Sequence, residues 1–341
     1  MNVVTNNLPL KPKDFATDQE VRWCPGCGDY AILKAMQKSL SETGARPEKT
    51  VFISGIGCSS RFPYYMETYG FHTIHGRAPA FATGVKLANP DLDVWLISGD
   101  GDSLSIGGNH LMHILRRNVD VQYLLFNNEI YGLTKGQYSP TSRAGTRTPS
   151  TPYGSIDNPV STAVFALGCG GRFVARGIDT QQKNLVPLFD RARQHKGASF
   201  VEILQNCIVY NDDVFAGVTA KNVAADKQVM LEHGQPMMFG KDGDLGLRIK
   251  PGALYLEAVR IGENGITEDD ILVHDETNRG LAHMLASMSG NNLPVALGVI
   301  YCDPMPSYDQ RVHERLATLQ KDKGQGDLNA LLRQGHTWTV D

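Results

Sequence analysis

The stretch Asp93-Val94-Trp95-Leu96-Ile97-Ser98 is almost wholly apolar and stops in Gly99-Asp100-Gly101-Asp102. A short apolar run ended by glycine suits a strand buried on both faces, as in a parallel sheet. Residues 50–55, 121–127 and 199–204 repeat the pattern. Between the runs the period changes: Ile32, Leu33, Met36 and Leu40 fall on one helical stripe closed by Gly44, and Leu111, Ile114 and Leu115 on another. This alternation predicts an α/β fold, a mostly parallel central sheet flanked by helices. We divide the chain into an N-terminal segment, 1–20, a binding domain, 21–210, and a C-terminal extension, 211–341. Residues 218–238 read as partly helical, 280–288 as a short helix and 295–301 as a further buried strand.

The bulk numbers remove several classes of function. With 33 basic and 36 acidic residues the net charge is −3, so no basic excess points to nucleic acid. No run approaches the roughly 20 apolar residues of a membrane span. The first 20 residues lack the apolar core of a signal peptide. A cytoplasmic location is therefore expected, where clustered cysteines bind metal or do redox work more often than they form disulfides.

In open α/β sheets, ligands sit at the carboxyl ends of strands. Gly99 and Gly101 remove side chains where a backbone must approach a phosphate. Asp100 places a carboxylate beside that phosphate, which makes sense only with a cation between them, and magnesium combines protein and phosphate oxygens in this way. A second ligand should come from a neighbouring strand end, and 25 residues beyond Gly101 the next run closes in Asn127-Asn128-Glu129-Ile130. The plain alternative is a strand-ending turn that binds nothing.

Six cysteines lie at 24, 27, 58, 169, 207 and 302. Cys24-Pro25-Gly26-Cys27 sits just before a helix, while Cys58 and Cys207 follow predicted strands, so the four can converge on one sheet edge. Four thiolates suit zinc or an iron–sulfur cluster; the two isolated, distant cysteines favour the cluster. Cys169 and Cys302 read as small buried apolar residues.

Gly-Asp-Gly followed by Asn-Asn resembles the thiamine-diphosphate motif, which implies magnesium held by Asp100, the Asn128 side chain and the Ile130 carbonyl. Trp23-Cys24-Pro25-Gly26-Cys27-Gly28, Gly55-Ile56-Gly57-Cys58-Ser59-Ser60, Asn206-Cys207 and Tyr131-Gly132-Leu133-Thr134-Lys135-Gly136-Gln137 together resemble the β subunit of 2-oxoacid:ferredoxin oxidoreductases, over about residues 15–220. The resemblance implies a [4Fe–4S] cluster on Cys24, Cys27, Cys58 and Cys207. It also implies a nearby thiamine site that draws on Gly57, Cys58, His75, Gly99, Asp100, Gly101, Asp102, Asn128, Ile130, Gly132, Leu133 and Thr134. It further implies oxidative decarboxylation of a 2-oxoacid to its acyl-coenzyme A, with electrons passed to ferredoxin. A separate α subunit would hold the cofactor's pyrimidine and much of the coenzyme A site, in an (αβ)2 assembly. No glutamate falls in a recognisable place to activate the pyrimidine; Glu67 and Glu129 read as structural or solvent-facing.

Three residues are candidates for work on the substrate. Arg61 can clamp a distal carboxylate with a bidentate fork, which favours 2-oxoglutarate over pyruvate. His75, in a glycine-containing turn, can hydrogen-bond the substrate carboxylate, and Lys135 can close over the cofactor. Each has a plain alternative: a surface arginine, a structural histidine, a solvated lysine. The rival readings of the whole chain are the same chemistry on pyruvate or another 2-oxoacid, a non-oxidative thiamine lyase with structural zinc, and a zinc-stapled scaffold.

Overall fold

The computed structural model describes residues 9–288, 290 and 292–340, so the first eight residues of the expected N-terminal segment lie outside it. The four expected strands all form, as β1 (Thr50–Ser54), β3 (Asp93–Gly99), β4 (Gln122–Asn127) and β6 (Ser199–Leu204), and β2 (Tyr69–His72) and β5 (Phe173–Ile178) join them. Five more follow: β7 (Gln228–Leu231), β8 (Met238–Phe239), β9 (Leu245–Ile249), β10 (Leu256–Arg260) and β11 (Val295–Cys302). Eight of these make one sheet in the order β2-β1-β3-β4-β6-β5-β11-β7. Every neighbouring pair is parallel except β11 with β5.

Side chains alternate across the sheet with the strand period of two. Val51, Ile53, Val94, Leu96, Tyr123 and Leu125 face one helical layer. Phe52, Trp95, Ile97, Leu124 and Phe126 face the other, where Ile32, Leu33, Met36 and Leu40 of α1 (Asp29–Glu42) meet them. Gly44 follows α1 in the left-handed region at φ +66°, a conformation open to glycine and costly for a residue with a Cβ. The opposite layer includes α2 (Ala78–Ala88), the short α3 (Asp100–Leu104) that starts at the Gly-Asp-Gly turn, and α4 (Gly108–Arg117).

The boundary drawn at residue 211 does not mark a break in the sheet. β7 and β11 complete it, and β11 runs antiparallel against β5 in the pairing Cys302↔Phe173, with a register shift between Val299 and Tyr301. The strand over 295–301 was readable from its apolar run, but nothing in that run specifies a partner some 120 residues upstream. Between β7 and β11 the chain also builds a three-stranded antiparallel sheet, β10-β9-β8, which the sequence pattern did not indicate.

Trp95 is fully buried at the centre of the α1 layer. Its ring centroid stands 6.1 Å from Phe52 and 6.3 Å from Phe189. Trp95→Ala is expected to lower unfolding free energy by about 3–5 kcal/mol in chemical denaturation, and Trp95→Phe by clearly less, because Phe refills most of the volume.

Candidate active site

Because β1, β3, β4 and β6 are parallel neighbours, their carboxyl ends emerge side by side on one edge. The chain passes from β1 outward to β2 and then back across to β3, so the connections diverge between β1 and β3. Such a switch point leaves a crevice. The crevice here is lined by Gly57, Cys58 and His75, by Gly99, Asp100, Gly101 and Asp102, and by Asn128, Ile130, Gly132, Leu133 and Thr134. All the residues expected around the thiamine cofactor therefore border one cleft.

Asp100 is the electrostatic centre of this cleft. It is 2 % exposed, and its Oδ2 accepts from the Thr141 hydroxyl at 2.6 Å. Burial pushes its carboxyl above the ordinary range, and the groups opposing that shift are neutral: the hydroxyls of Ser139 and Thr141 and the N–H groups of Asp100 and Asn128. A carboxylate buried without a cationic partner is a poor arrangement until a cation arrives. The Asn128 side-chain oxygen, Oδ1, accepts only a 3.3 Å contact from the Ile130 N–H, and Ile130 borders the same cleft. These oxygens have the chemistry to hold magnesium.

Two expectations change in detail. Gly101 was expected to make room for phosphate, but a Cβ there would lie 2.3 Å from the Tyr131 ring. The Tyr131 hydroxyl also donates to the Gly101 carbonyl at 3.0 Å, so this glycine lets the β4 loop close onto α3. Asp102 was expected to bind cofactor. Its carboxylate instead accepts from the N–H of Ile56 (3.1 Å) and Gly76 (2.7 Å) and from the Ser98 hydroxyl (2.5 Å), tying three segments together under the cleft. His75 Nδ1 stands 2.8 Å from Asp102 Oδ1, off the line that a hydrogen bond requires.

The four cysteines meet as expected. Cys24, Cys27, Cys58 and Cys207 line one cavity of about 200 Å³ with Trp23 and Ile208. A β-turn shapes the first pair: Pro25 and Gly26 occupy its centre, Gly26 has φ +85°, and the Cys27 N–H donates to the Cys24 carbonyl at 3.0 Å. The Trp23 indole donates to the Cys58 carbonyl at 2.6 Å and so fastens this turn to the β1 loop. A Cβ on Gly132 would sit 3.4 Å from Cys207 Sγ and 3.7 Å from Cys58 Sγ. Burial, then the neighbouring Asp29, pushes the Cys58 thiol up to about 12, and the same two causes raise Cys27 above the ordinary thiol range. Cys169 and Cys302 do not line this cavity. Among the described residues no three His, Cys, Asp or Glu side chains are gathered to hold a single metal ion.

The substrate candidates divide. His75 borders the cofactor cleft. Arg61, whose Nε donates to the Tyr65 hydroxyl at 3.2 Å, lies between the cysteine cavity and an open groove that shares Ile56, Gly57 and Leu133 with the cleft. Lys135, expected over the cofactor, instead borders the cysteine cavity. It has φ +74°, and the Lys135 N–H donates to the Gly132 carbonyl, which turns the loop that way. Glu67 is exposed. Glu129 is not solvent-facing: its carboxylate pairs with Arg143 at 3.1 Å, and burial pushes it up to about 7 against that arginine.

The family model for the C-terminal TPP-binding domain of thiamine pyrophosphate enzymes matches residues 55–203. The match runs from the β1 loop to β6, and Cys24, Cys27 and Cys207 fall outside it. A 2-oxoglutarate oxidoreductase subunit KorB from Mycobacterium tuberculosis is 49 % identical over 344 residues, covering 99 % of this chain and 91 % of that protein. The chain belongs to the 2-oxoacid:ferredoxin oxidoreductase β subunits, of the 2-oxoglutarate type. The β subunit of a 2-oxoacid:ferredoxin oxidoreductase from Aeropyrum pernix is 48 % identical over 198 residues, 58 % of this chain and 62 % of that one. Among solved structures, a 2-oxoglutarate:ferredoxin oxidoreductase from Magnetococcus marinus, with 2-oxoglutarate, coenzyme A and succinyl-CoA bound, matches with a TM-score of 0.74. It is 34 % identical and covers 96 % of this chain and 97 % of that one.

The β-subunit cleft yields a steric test. Gly101→Ala should displace the Tyr131 ring and cost about 1–3 kcal/mol of stability. In a double-mutant cycle with Tyr131→Ala the combined loss should be clearly smaller than the sum; additive losses would show that the ring is not what excludes a side chain at 101.

Proposed function

We propose that this chain is the thiamine-diphosphate- and cluster-carrying β subunit of an enzyme that oxidatively decarboxylates 2-oxoglutarate to its coenzyme A thioester. One observation carries the reading: the buried carboxylate cleft and the four-thiol cavity share a wall made by Cys58, Asn128, Gly132 and Leu133. That shared wall supports a reading in which carbon-bond chemistry and an electron acceptor would sit next to each other.

Asp100, Asn128 and the Ile130 carbonyl would hold magnesium and, through it, the diphosphate of thiamine diphosphate. When bound, that cofactor supplies the nucleophile for a 2-oxoacid carbonyl and the sink for charge released with carbon dioxide. Cys24, Cys27, Cys58 and Cys207 would hold a [4Fe–4S] cluster, which would supply one-electron transfer toward ferredoxin. Tetrahedral binding of one zinc ion requires sulfurs within about 4 Å of one another. Among the described residues no three such side chains are gathered for one ion, while the four thiols border a cavity of about 200 Å³, which favours a polynuclear cluster. His75 stands at the cleft to hydrogen-bond the substrate. Arg61, at the mouth of the adjoining groove, offers its guanidinium to the distal carboxylate that separates 2-oxoglutarate from pyruvate.

The cleft itself encloses only about 70 Å³. Small-molecule sites usually span about 300–1,000 Å³. So small a cleft leaves room for a second chain to complete it, which supports an α subunit. Ile74, Ile106 and Leu133, exposed beside the cleft by 71 %, 54 % and 49 %, give such a partner an apolar rim.

The test is anaerobic purification of the chain with its α subunit. About four iron and four sulfide are expected per β chain, with ferredoxin reduction that requires both 2-oxoglutarate and coenzyme A. Cys24→Ala, outside the cofactor cleft, should remove the iron while thiamine diphosphate still binds with magnesium. Zinc in place of iron would select the non-oxidative lyase; turnover of pyruvate in preference to 2-oxoglutarate would remove Arg61 from its role.

A second prediction concerns protons. The Cys27 and Cys58 thiols are held protonated by burial, so rebuilding the cluster from iron and sulfide in weakly buffered solution should release protons. Cluster assembly with no pH change beyond that of a cysteine-free control would show that the thiols are not its ligands.

A further inference from the structure

Between the two halves of this site stands a side chain that neither motif contains. Gln205 follows β6, two residues before Cys207, and is 1 % exposed. Its Nε2 donates to the Asn206 carbonyl at 2.7 Å and to Cys27 Sγ at 3.3 Å. Its Oε1 accepts from Asn128 Nδ2 at 2.7 Å.

These contacts leave Gln205 one orientation. Turned over, its carbonyl would face the Asn206 carbonyl and its NH2 would face that of Asn128, so two acceptors and two donors would clash. The fixed amide in turn fixes Asn128: with Nδ2 committed to Gln205, the Asn128 oxygen points away from it. Backbone bonds hold the frame, since the Gln205 N–H donates to the Asn127 carbonyl at 2.9 Å and Asn211 Nδ2 donates to the Asn128 carbonyl at 2.9 Å.

We infer that Gln205 is a positioning residue joining the metal site to the thiol site: one end aims the Asn128 oxygen at the cation, and the other donates a hydrogen bond to the Cys27 sulfur. The inference rests on the functional reading above. An N–H donor to a cluster sulfur stabilises the charge added on reduction, so its loss makes the cluster harder to reduce. Removing a partner that orients a metal ligand typically costs 10–100-fold in metal affinity.

The test uses the complete complex with its α subunit, purified anaerobically, and two variants. Gln205→Met removes both contacts. Gln205→Glu, read at a pH where the carboxyl is ionised, keeps an oxygen toward Asn128 and replaces the donor to sulfur by an acceptor, and it serves where Gln205→Met fails to fold. The readouts are the magnesium concentration needed for thiamine diphosphate binding, followed by tryptophan fluorescence, and the cluster midpoint potential from EPR-monitored titration. Gln205→Met should need about tenfold more magnesium and show a lower midpoint potential. Gln205→Glu should show the lower potential with magnesium dependence within about threefold of wild type. A Gln205→Met complex with wild-type iron content that moves only one readout, or neither, overturns the inference, as does Gln205→Glu at the wild-type potential. A wild-type complex without iron or without magnesium-dependent thiamine diphosphate binding overturns the functional reading itself, and this inference with it.

Discussion

The parallel register of β1, β3, β4 and β6 is the constraint on which the site depends. Ser54 pairs with Ile97, Gly99 with Phe126 and Asn127 with Leu204, so the four strands end at nearly one level. The loop after β1 brings Cys58, the turn after β3 brings Asp100, the loop after β4 brings Asn128, and the segment after β6 brings Gln205 and Cys207. Both faces of these strands are buried, and a slip of one residue would move every apolar side chain to the wrong layer. The cost of that slip holds the register, and the register holds the chemistry in line.

Two of the carboxyl groups at this edge, Asp100 and Asp29, are buried away from positive charge. Asp100 has only neutral partners in its immediate surroundings. Asp29, beneath the cysteine turn, has an oxygen without a hydrogen-bond partner, and burial pushes it up to about 7. The buried Cys58 thiol raises that of Cys27, and Cys207 raises both. A fold tolerates such a collection when cations complete it, because a bound metal reverses the local preference for protonated groups. The polar network is otherwise well satisfied: Asp102 uses three donors to join the loops, and Asn127 donates to Glu202, which is itself paired with Arg176 at 2.6 Å. Rigid, neutral ties thus surround a small set of groups kept in waiting.

Much of this was legible in the chain. The strands carrying ligands are those with unbroken apolar runs, and their ends carry the residue types that metals require. The edge strand β2 was not legible, because its exposed Tyr69-Gly70-Phe71-His72 carries no burial signal. Arg176 and Gly177 interrupt the apolar pattern of β5, since Arg176 is matched to Glu202 across the sheet. The three-stranded sheet was hidden by its glycines. Lys135 was assigned to the cofactor from its place after Asn128, but the turn at Gly132 carries it toward the thiols.

The sequence by itself determined the strand-and-helix alternation, the motifs whose residue types suit metal and phosphate, and the family to which those motifs belong. Local chemistry suffices there, because burial periodicity and ligand type are properties of short segments. The tertiary structure alone decided that Cys24, Cys27, Cys58 and Cys207 border one cavity, that this cavity shares a wall with the Asp100 cleft, and that Gln205 spans the two. It also decided that Gly101 answers to Tyr131 and that β11 closes against β5. Those facts depend on which strands become neighbours. That choice is made by packing the whole sheet between its helical layers, and no single segment encodes it.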